Sequence, residues 1–360
     1  MSGLFPILRN PPVEPSWSIT PEVVGIEITG RCQLSCRHCF NSSGPDNVAE
    51  LPLAVLERIF DQAASWGVRS VRLSGGEPTI HRDFRAVVDA CAGCGLGIAL
   101  NTHGVYSRDI LEYLKTAAID QFLVSVDGLE ENNDAIRGHG LFRRAVDSCR
   151  ELHAAGRPVM MSCHLGECNA ADASGLIRLA AEIGVDVKFS PIRPIGRAIR
   201  KLPGVMIRPE TYLTVVERIA RLRSVHSATK ILIDFDILDD AVPDGACQRA
   251  SQMSSCKAGR TMININYDGG VYPCPFFVTP EQEFSAGNVQ RDDLLDVWRN
   301  SPVFAPFRKH RKSELCQDCS HYRRSCAGGC PAIAYFATGY LDGHDPTCFW
   351  AAMETGRNAV

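Results

Sequence analysis

Short apolar runs alternate with longer amphipathic stretches from residue 23 onward. The apolar runs predict six β-strands, at residues 24–29, 70–74, 97–101, 122–126, 159–163 and 187–190. The stretches between them predict five helices, at residues 53–66, 84–94, 109–118, 142–155 and 173–183. Several of these helices are followed by a glycine that suits a left-handed cap: Gly67, Gly95, Gly156 and Gly184. Strands alternating with helices are typical of βαβ units around a parallel sheet.

The alternation fades near residue 193, where one more helix (211–223) and one short strand (230–235) are predicted. Beyond Cys247 the apolar runs shorten, and two of them flank Asp268-Gly269-Gly270, which predicts a β-hairpin.

We therefore predict an extended lead-in at residues 1–20, an α/β domain at residues 21–240 and a small cysteine-rich α+β domain at residues 241–360. Six βαβ units fit a partial (β/α)6 barrel, although the pattern also allows an open doubly wound sheet.

The composition argues against a nucleic-acid-binding, membrane-spanning or secreted protein. The 360 residues carry a net charge of −3, which disfavours nucleic-acid binding. No apolar run reaches the ~18 residues that would span a bilayer, and the N-terminus lacks the features of a secretory signal. A cytoplasmic protein is therefore predicted, and in that compartment its 16 cysteines favour metal binding or redox chemistry over disulfides.

Three cysteines lie on the loop after the first predicted strand, in the order Cys32-x-x-x-Cys36-x-x-Cys39. Three thiolates on one tight loop can hold three irons of a cubane cluster and leave the fourth iron open for an external ligand. The alternative is a zinc site in which His38 supplies a further ligand.

With this spacing the chain resembles the radical S-adenosylmethionine (SAM) superfamily. Further motifs follow the next predicted strands, in the order Ser74-Gly75-Gly76-Glu77-Pro78, Asn101-Thr102-His103-Gly104, Ser125-Val126-Asp127-Gly128 and Pro191 to Arg197. The carboxyl ends of barrel strands are where active sites lie. His38 departs from the family, which usually has an aromatic residue before the last cysteine.

The resemblance implies a SAM site built from Gly75, Gly76, Glu77, Pro78, Asn101, Ser125, Asp127 and Arg137. In this arrangement Glu77 accepts a hydrogen bond from the methionyl ammonium, and Asp127 contacts the ribose or carboxylate. Arg137 assists with the SAM carboxylate, and residues 191–197 border the adenine.

The later cysteines resemble the SPASM extension of the same superfamily, which carries two auxiliary 4Fe–4S clusters. The resemblance implies that Cys256, Cys274 and Cys330 hold the first, with Cys247 as fourth ligand. It assigns the second to Cys316, Cys319, Cys326 and Cys348. The gap between Cys319 and Cys326 is six residues where the family usually has five. Two structural zinc sites are the alternative.

The resemblance implies reductive cleavage of SAM to a 5′-deoxyadenosyl radical with three 4Fe–4S clusters, supplied with electrons by a flavodoxin or ferredoxin. The predicted reaction is oxidation or crosslinking of a ribosomally made peptide. Because 31 residues precede Cys32, too few for a recognition module of ~80 residues, a peptide substrate would need either a separate recognition protein or a leader that binds at the barrel mouth itself.

Two alternatives remain at this point. The first is a dehydrogenase or epimerase acting on a small sugar-like or amino-acid-like metabolite, for which Cys163 and Cys168 are the candidate catalytic hydrogen donors. The second is a cluster-carrying protein without catalysis. Cys91 and Cys94 lie on a helical pattern, so we interpret them as packing or surface thiols.

Overall fold

The computed structural model describes residues 17–198, 205–233, 256–279, 282–309, 313–317, 319, 322 and 328–348. Its strands are β1 (Val23–Thr29), β2 (Ser70–Gly75), β3 (Gly97–Thr102), β4 (Gln121–Ser125), β5 (Val159–Leu165), β6 (Asp186–Pro191), β7 (Ile231–Ile233), β8 (Met262–Ile265), β9 (Gly270–Tyr272) and β10 (Gly287–Asn288). Its helices are α1 (Leu53–Ser65), α2 (Phe84–Gly93), α3 (Arg108–Leu114), α4 (Glu130–Arg137), α5 (Leu141–Ala154), α6 (Ala173–Ile183), α7 (Pro209–Val225), α8 (Leu294–Asn300), α9 (Ala305–Arg308) and α10 (Pro331–Thr338).

The six strands and five helices predicted up to residue 190 are all present, at bounds within a few residues of those expected. The predicted glycine caps are confirmed, because Gly67, Gly95, Gly156 and Gly184 all have positive φ. Helix α4 was not predicted, since its sequence Glu-Glu-Asn-Asn-Asp-Ala-Ile-Arg carries almost no apolar periodicity.

All ten strands form one sheet, in the order β10-β9-β8-β1-β2-β3-β4-β5-β6-β7. Strands β1 to β7 are parallel and follow one another in chain order, without the reversal that defines a doubly wound sheet. The partial barrel, not closed, is therefore the correct alternative.

The two faces of the parallel strands differ in chemistry. One face is apolar and packs under the helices, as in β1, where Val24, Ile26 and Ile28 are fully buried. Burying each such side chain stabilises the fold by about 1.5–3 kcal/mol. The other face carries polar side chains and lines a cavity.

The predicted hairpin is confirmed, because β8 and β9 pair antiparallel. It does not stand apart from the barrel, however: β8 pairs in parallel with β1 and extends the same sheet. The cysteines on either side of this hairpin thereby lie near the amino end of β1, because Met262 at the start of β8 is paired with Val23 and β9 runs back toward that end. The predicted boundary at residue 240 lies outside the described residues.

Candidate active site

The first cysteine loop follows β1 and opens onto a cavity of about 520 Å³ lined by Cys32, Cys36 and Cys39. Burial raises the pKa of Cys32 to about 12. Burial also raises the pKa of Cys36, an effect that Arg137 opposes. Thiolates in such a pocket need a compensating cation, so three convergent sulfur donors fit a metal cluster.

His38 lies between Cys36 and Cys39 in the sequence, but its side chain pairs with Asp127. Its Nε2 lies 2.9 Å from Oδ2 of Asp127, and its ring is buried. This pairing with a carboxylate competes with the zinc alternative, in which His38 would be a ligand.

The turn after β2 packs directly against the start of the cysteine loop. The Gly76 amide donates to the Thr29 carbonyl at 2.7 Å, and the Glu77 amide donates to the Arg31 carbonyl at 2.8 Å. A Cβ atom on Gly76 would lie 2.0 Å from the Arg31 carbonyl oxygen, so only glycine permits this approach. Gly75 and Gly76 both line the cavity, as expected of a turn that lies close to a ligand.

Glu77 lies beneath this turn, is fully buried and is not among the residues that line the cavity. Its carboxylate accepts hydrogen bonds from the amide and hydroxyl of Thr79, at 3.2 and 2.7 Å, and from the Thr102 hydroxyl at 2.9 Å. It also accepts one from the His103 amide at 2.9 Å. In the structure Glu77 ties the turn to the end of β3, and a direct bond to the methionyl ammonium stays a prediction.

Two other predicted SAM contacts, Asn101 and Ser125, do line the cavity. The Oδ1 atom of Asn101 is buried and has no hydrogen-bond partner among the described residues. A buried acceptor of this kind is expected to bind a donor from a ligand. Pro78, the last residue of the glycine turn motif, is buried and begins a short 3₁₀ turn.

Asp127 is fully buried and satisfied by protein groups. Its Oδ2 pairs with Arg137 at 2.6 Å and with His38 at 2.9 Å, while its Oδ1 accepts the His164 amide at 2.7 Å. Burial alone would raise the pKa of Asp127, but Arg137 and His38 hold it well below its usual range. Asp127 thereby links β4 to the cysteine loop and to Arg137, and its contact with SAM stays a prediction.

Arg137 differs from Asp127 because it reaches the cavity. Its Nη1 lies 4.0 Å from the Cys36 sulfur, so its charge sits beside the cysteine loop. In this position it suits the predicted role of binding a carboxylate.

The residues after β6 also bind the cysteine loop, through hydrogen bonds from Arg197. Arg197 donates through Nε to the Cys36 carbonyl at 2.9 Å and through Nη1 to the Ser43 carbonyl at 2.6 Å. Its own amide donates to the Cys39 carbonyl at 3.0 Å. Gly196 has a φ of +62°, and a Cβ there would lie 2.2 Å from the Phe40 carbonyl oxygen.

A buried carboxyl group joins the cysteine loop to β8. Glu27 accepts hydrogen bonds from Asn41 at 2.8 Å and from Asn264 at 3.0 Å. Burial raises the pKa of Glu27 from an ordinary 4.5 to about 7, against the two amide donors. Sequence analysis missed this group, because nothing near residue 27 indicates its partner 237 positions away.

The two candidate hydrogen donors do not face the cavity. Cys163 is fully buried on the helix-side face of β5, and Cys168 is exposed on the loop that follows. Their neighbours Ser162 and His164 line the cavity instead. Since side chains alternate along a strand, the prediction was wrong by one position on β5.

Three later cysteines join the same cavity: Cys256, Cys274 and Cys330. Burial raises the pKa of Cys274 well above its usual range, and Cys256 and Cys330 add to this effect. Arg193 stacks on Phe276 at 4.0 Å beside them. This donor set fits a second metal cluster that faces the first across the cavity.

The remaining predicted ligands are less fully described. Cys316, Cys319 and Cys348 are half-buried. Cys247 and Cys326 lie outside the described residues. None of the helices that the structure describes is long and apolar enough to cross a membrane.

Comparison with known proteins agrees with this geometry. Residues 26–171 match the radical SAM superfamily, and residues 256–320 match SPASM, an iron–sulfur cluster-binding domain. The chain is 32% identical to the mycofactocin maturase MftC of Mycobacterium ulcerans, over 89% of this chain and 86% of that protein. It is 30% identical to the PqqA peptide cyclase of Methylocella silvestris, again over 89% and 86%.

Solved structures share the fold. The structure of Streptococcus suis SuiB bound to its precursor peptide SuiA has a TM-score of 0.74 at 19% identity, covering 91% of this chain and 76% of that one. The structure of anSMEcpe with bound AdoMet has a TM-score of 0.72 at 17% identity, covering 93% and 97%.

Proposed function

Because this chain belongs to the radical SAM superfamily and carries a SPASM domain, we propose that it oxidises or crosslinks a ribosomally made peptide. The observation that carries the proposal is the shared cavity, which is lined by Cys32, Cys36 and Cys39 on one side and by Cys256, Cys274 and Cys330 on the other. The maturase and the cyclase, both at least 30% identical over most of the chain, support a peptide as the substrate class.

The first three cysteines would hold the cluster that binds SAM. When bound, that cluster would supply the electron that cleaves SAM and so generates the radical that abstracts a substrate hydrogen. The protein would position these groups: Gly75 and Gly76 allow the close approach, Asn101 offers an unpaired acceptor, and Arg137 offers a charge for the SAM carboxylate.

Two auxiliary clusters complete the proposal, with the ligands assigned by resemblance. An oxidised product requires a substrate radical to give up one further electron and a proton. Cys256, Cys274 and Cys330 line the same cavity, and a cluster held by them would be placed to accept that electron. A flavodoxin or ferredoxin would reduce the first cluster, and a separate recognition protein would present the peptide.

The epimerase alternative loses its support, since neither Cys163 nor Cys168 reaches the cavity. An epimerase needs a donor that returns a hydrogen atom to the substrate.

Anaerobic reconstitution with iron and sulfide, followed by metal counting, tests the proposal. We expect about twelve irons per chain, the content of three 4Fe–4S clusters. Replacing Cys32, Cys36 and Cys39 together by alanine is expected to remove about one third of this iron. The matched control is alanine at Cys91 and Cys94, which lie on α2 and its cap. Tight binding of zinc without iron–sulfur absorption would contradict the proposal.

Reduced wild-type protein mixed with SAM should release 5′-deoxyadenosine, slowly without substrate. Synthetic precursor peptides encoded beside the gene should then accelerate this release and lose mass in multiples of two hydrogens. Unmodified peptides together with turnover of a small metabolite would refute the peptide assignment while keeping the radical chemistry.

A further inference from the structure

Asp345 occupies a buried position between two of the late cysteines. It lies in the loop after α10, and only 6% of the residue is exposed. Its Oδ2 accepts the Cys330 amide at 2.7 Å, and its backbone carbonyl accepts the Cys348 amide at 3.0 Å. Its Oδ1 accepts the amide and the hydroxyl of Thr347, at 2.9 and 2.6 Å. One aspartate therefore contacts both cysteine-bearing segments.

The backbone beside Cys330 leaves room for the Asp345 carboxylate, because the preceding residue is a glycine. Gly329 has a φ of +74°, and a Cβ on it would lie 2.6 Å from Oδ2 of Asp345. On the other side, Cys330 caps α10, whose first residue is Pro331. Cys330 thus follows a glycine in the left-handed conformation and precedes a proline, which fixes the backbone on both sides. The Asp345 carboxylate accepts a hydrogen bond from its amide.

These contacts connect cysteines that the resemblance assigns to different clusters. Cys330 lines the cavity with Cys274, whereas the resemblance groups Cys348 with Cys316 and Cys319. Outer hydrogen bonds of this kind fix the orientation of metal ligands, and their loss typically weakens metal binding. Nearby charge and hydrogen bonds to cluster sulfurs also set the reduction potential of an iron–sulfur cluster.

We propose that Asp345 is a positioning residue shared by the two auxiliary clusters. It orients Cys330 toward the first cluster and holds Cys348 in place for the second. It also lowers the reduction potential of the first cluster, because it adds negative charge beside Cys330 and occupies an amide that would otherwise be free to bond to a cluster sulfur. This inference rests on the proposed function, since it requires auxiliary clusters.

The test uses the full chain, reconstituted anaerobically, with iron counting and a potentiometric titration followed by electron paramagnetic resonance. Asp345→Asn keeps one oxygen acceptor and removes the charge. Asp345→Ala removes both acceptors. Asp342→Asn is the matched control, because Asp342 is an exposed aspartate of the same loop. Thr347→Val removes the hydroxyl bond to Asp345 but keeps its charge.

We expect Asp345→Ala to lose about four of about twelve irons, the content of the first auxiliary cluster, because the Cys348 amide keeps its bond to the backbone carbonyl of residue 345. Asp345→Asn should keep its iron and shift one auxiliary potential upward, a change that a purely structural role would not produce. Asp342→Asn and Thr347→Val should keep wild-type iron and wild-type potentials.

Full iron in Asp345→Ala together with an unshifted potential in Asp345→Asn would overturn the inference while leaving the proposed function standing. A wild-type chain that takes up no auxiliary iron would overturn both.

Discussion

Replacing Glu77 by alanine separates a ligand contact from a structural role. In the structure the carboxylate accepts two backbone amides, those of Thr79 and His103, at a site with no exposure. A buried donor left without a partner costs about 1–3 kcal/mol, so the two amides together cost about 2–6 kcal/mol. The hydroxyls of Thr79 and Thr102 can rotate to other acceptors and are not counted.

Amide hydrogen exchange on the reconstituted protein measures this cost directly, since unfolding of a chain with bound clusters is not two-state. A loss of about 2 kcal/mol accelerates exchange about 30-fold at the Thr79 and His103 amides. Glu77→Gln keeps one carbonyl oxygen and should show a smaller change. Glu57→Ala, at an exposed position of α1, should leave both amides protected. Unchanged protection in Glu77→Ala combined with weaker SAM binding would refute this reasoning and restore the direct ammonium contact.

Three further predictions follow from the buried groups. Because the folded pKa of Glu27, about 7, lies above its ordinary 4.5, the folded chain holds the extra proton between these values. Stability should therefore fall by about 3 kcal/mol as the pH rises through this window, and Glu27→Gln should flatten the slope measured by amide hydrogen exchange after correction for the intrinsic exchange rate. An unchanged slope would contradict the assignment. Cys163→Ala and Cys168→Ala should both release 5′-deoxyadenosine and modify the peptide at wild-type rates, and Cys163→Ala should cost about 1 kcal/mol of stability for its small buried side chain. Loss of product in Cys163→Ala with SAM cleavage retained would show that Cys163 does act at the cavity. Arg137→Met leaves the Asp127 carboxylate without its main partner and should destabilise the fold by about 3–5 kcal/mol, whereas a stability equal to wild type would show that His38 alone suffices.

Local features of the chain were predictable because each depends on residues close together in sequence. Cys32, Cys36 and Cys39 lie within eight residues, so one short segment carries all three sulfurs in any fold. The alternation of strands and helices predicted the parallel sheet, and glycines such as Gly184 marked the helix ends through their positive φ.

The face of the sheet to which a given side chain points was not predictable from the sequence. Cys163 and His164 are adjacent, and a shift of one residue moves a side chain from the helices to the cavity. The register of β5 against β4 and β6 decided that Ser162 and His164 face inward.

The sequence alone determined the chemistry of this protein: which loops carry thiols, in what order, and at the ends of which strands. Only the tertiary structure decided which polar groups remain available to a ligand. Asp127 and Glu77 carry the charge expected of SAM contacts, but Arg137, Thr102 and other partners distant in sequence already satisfy them. A buried charge must be paired, and the partners are side chains that only the folded sheet brings together.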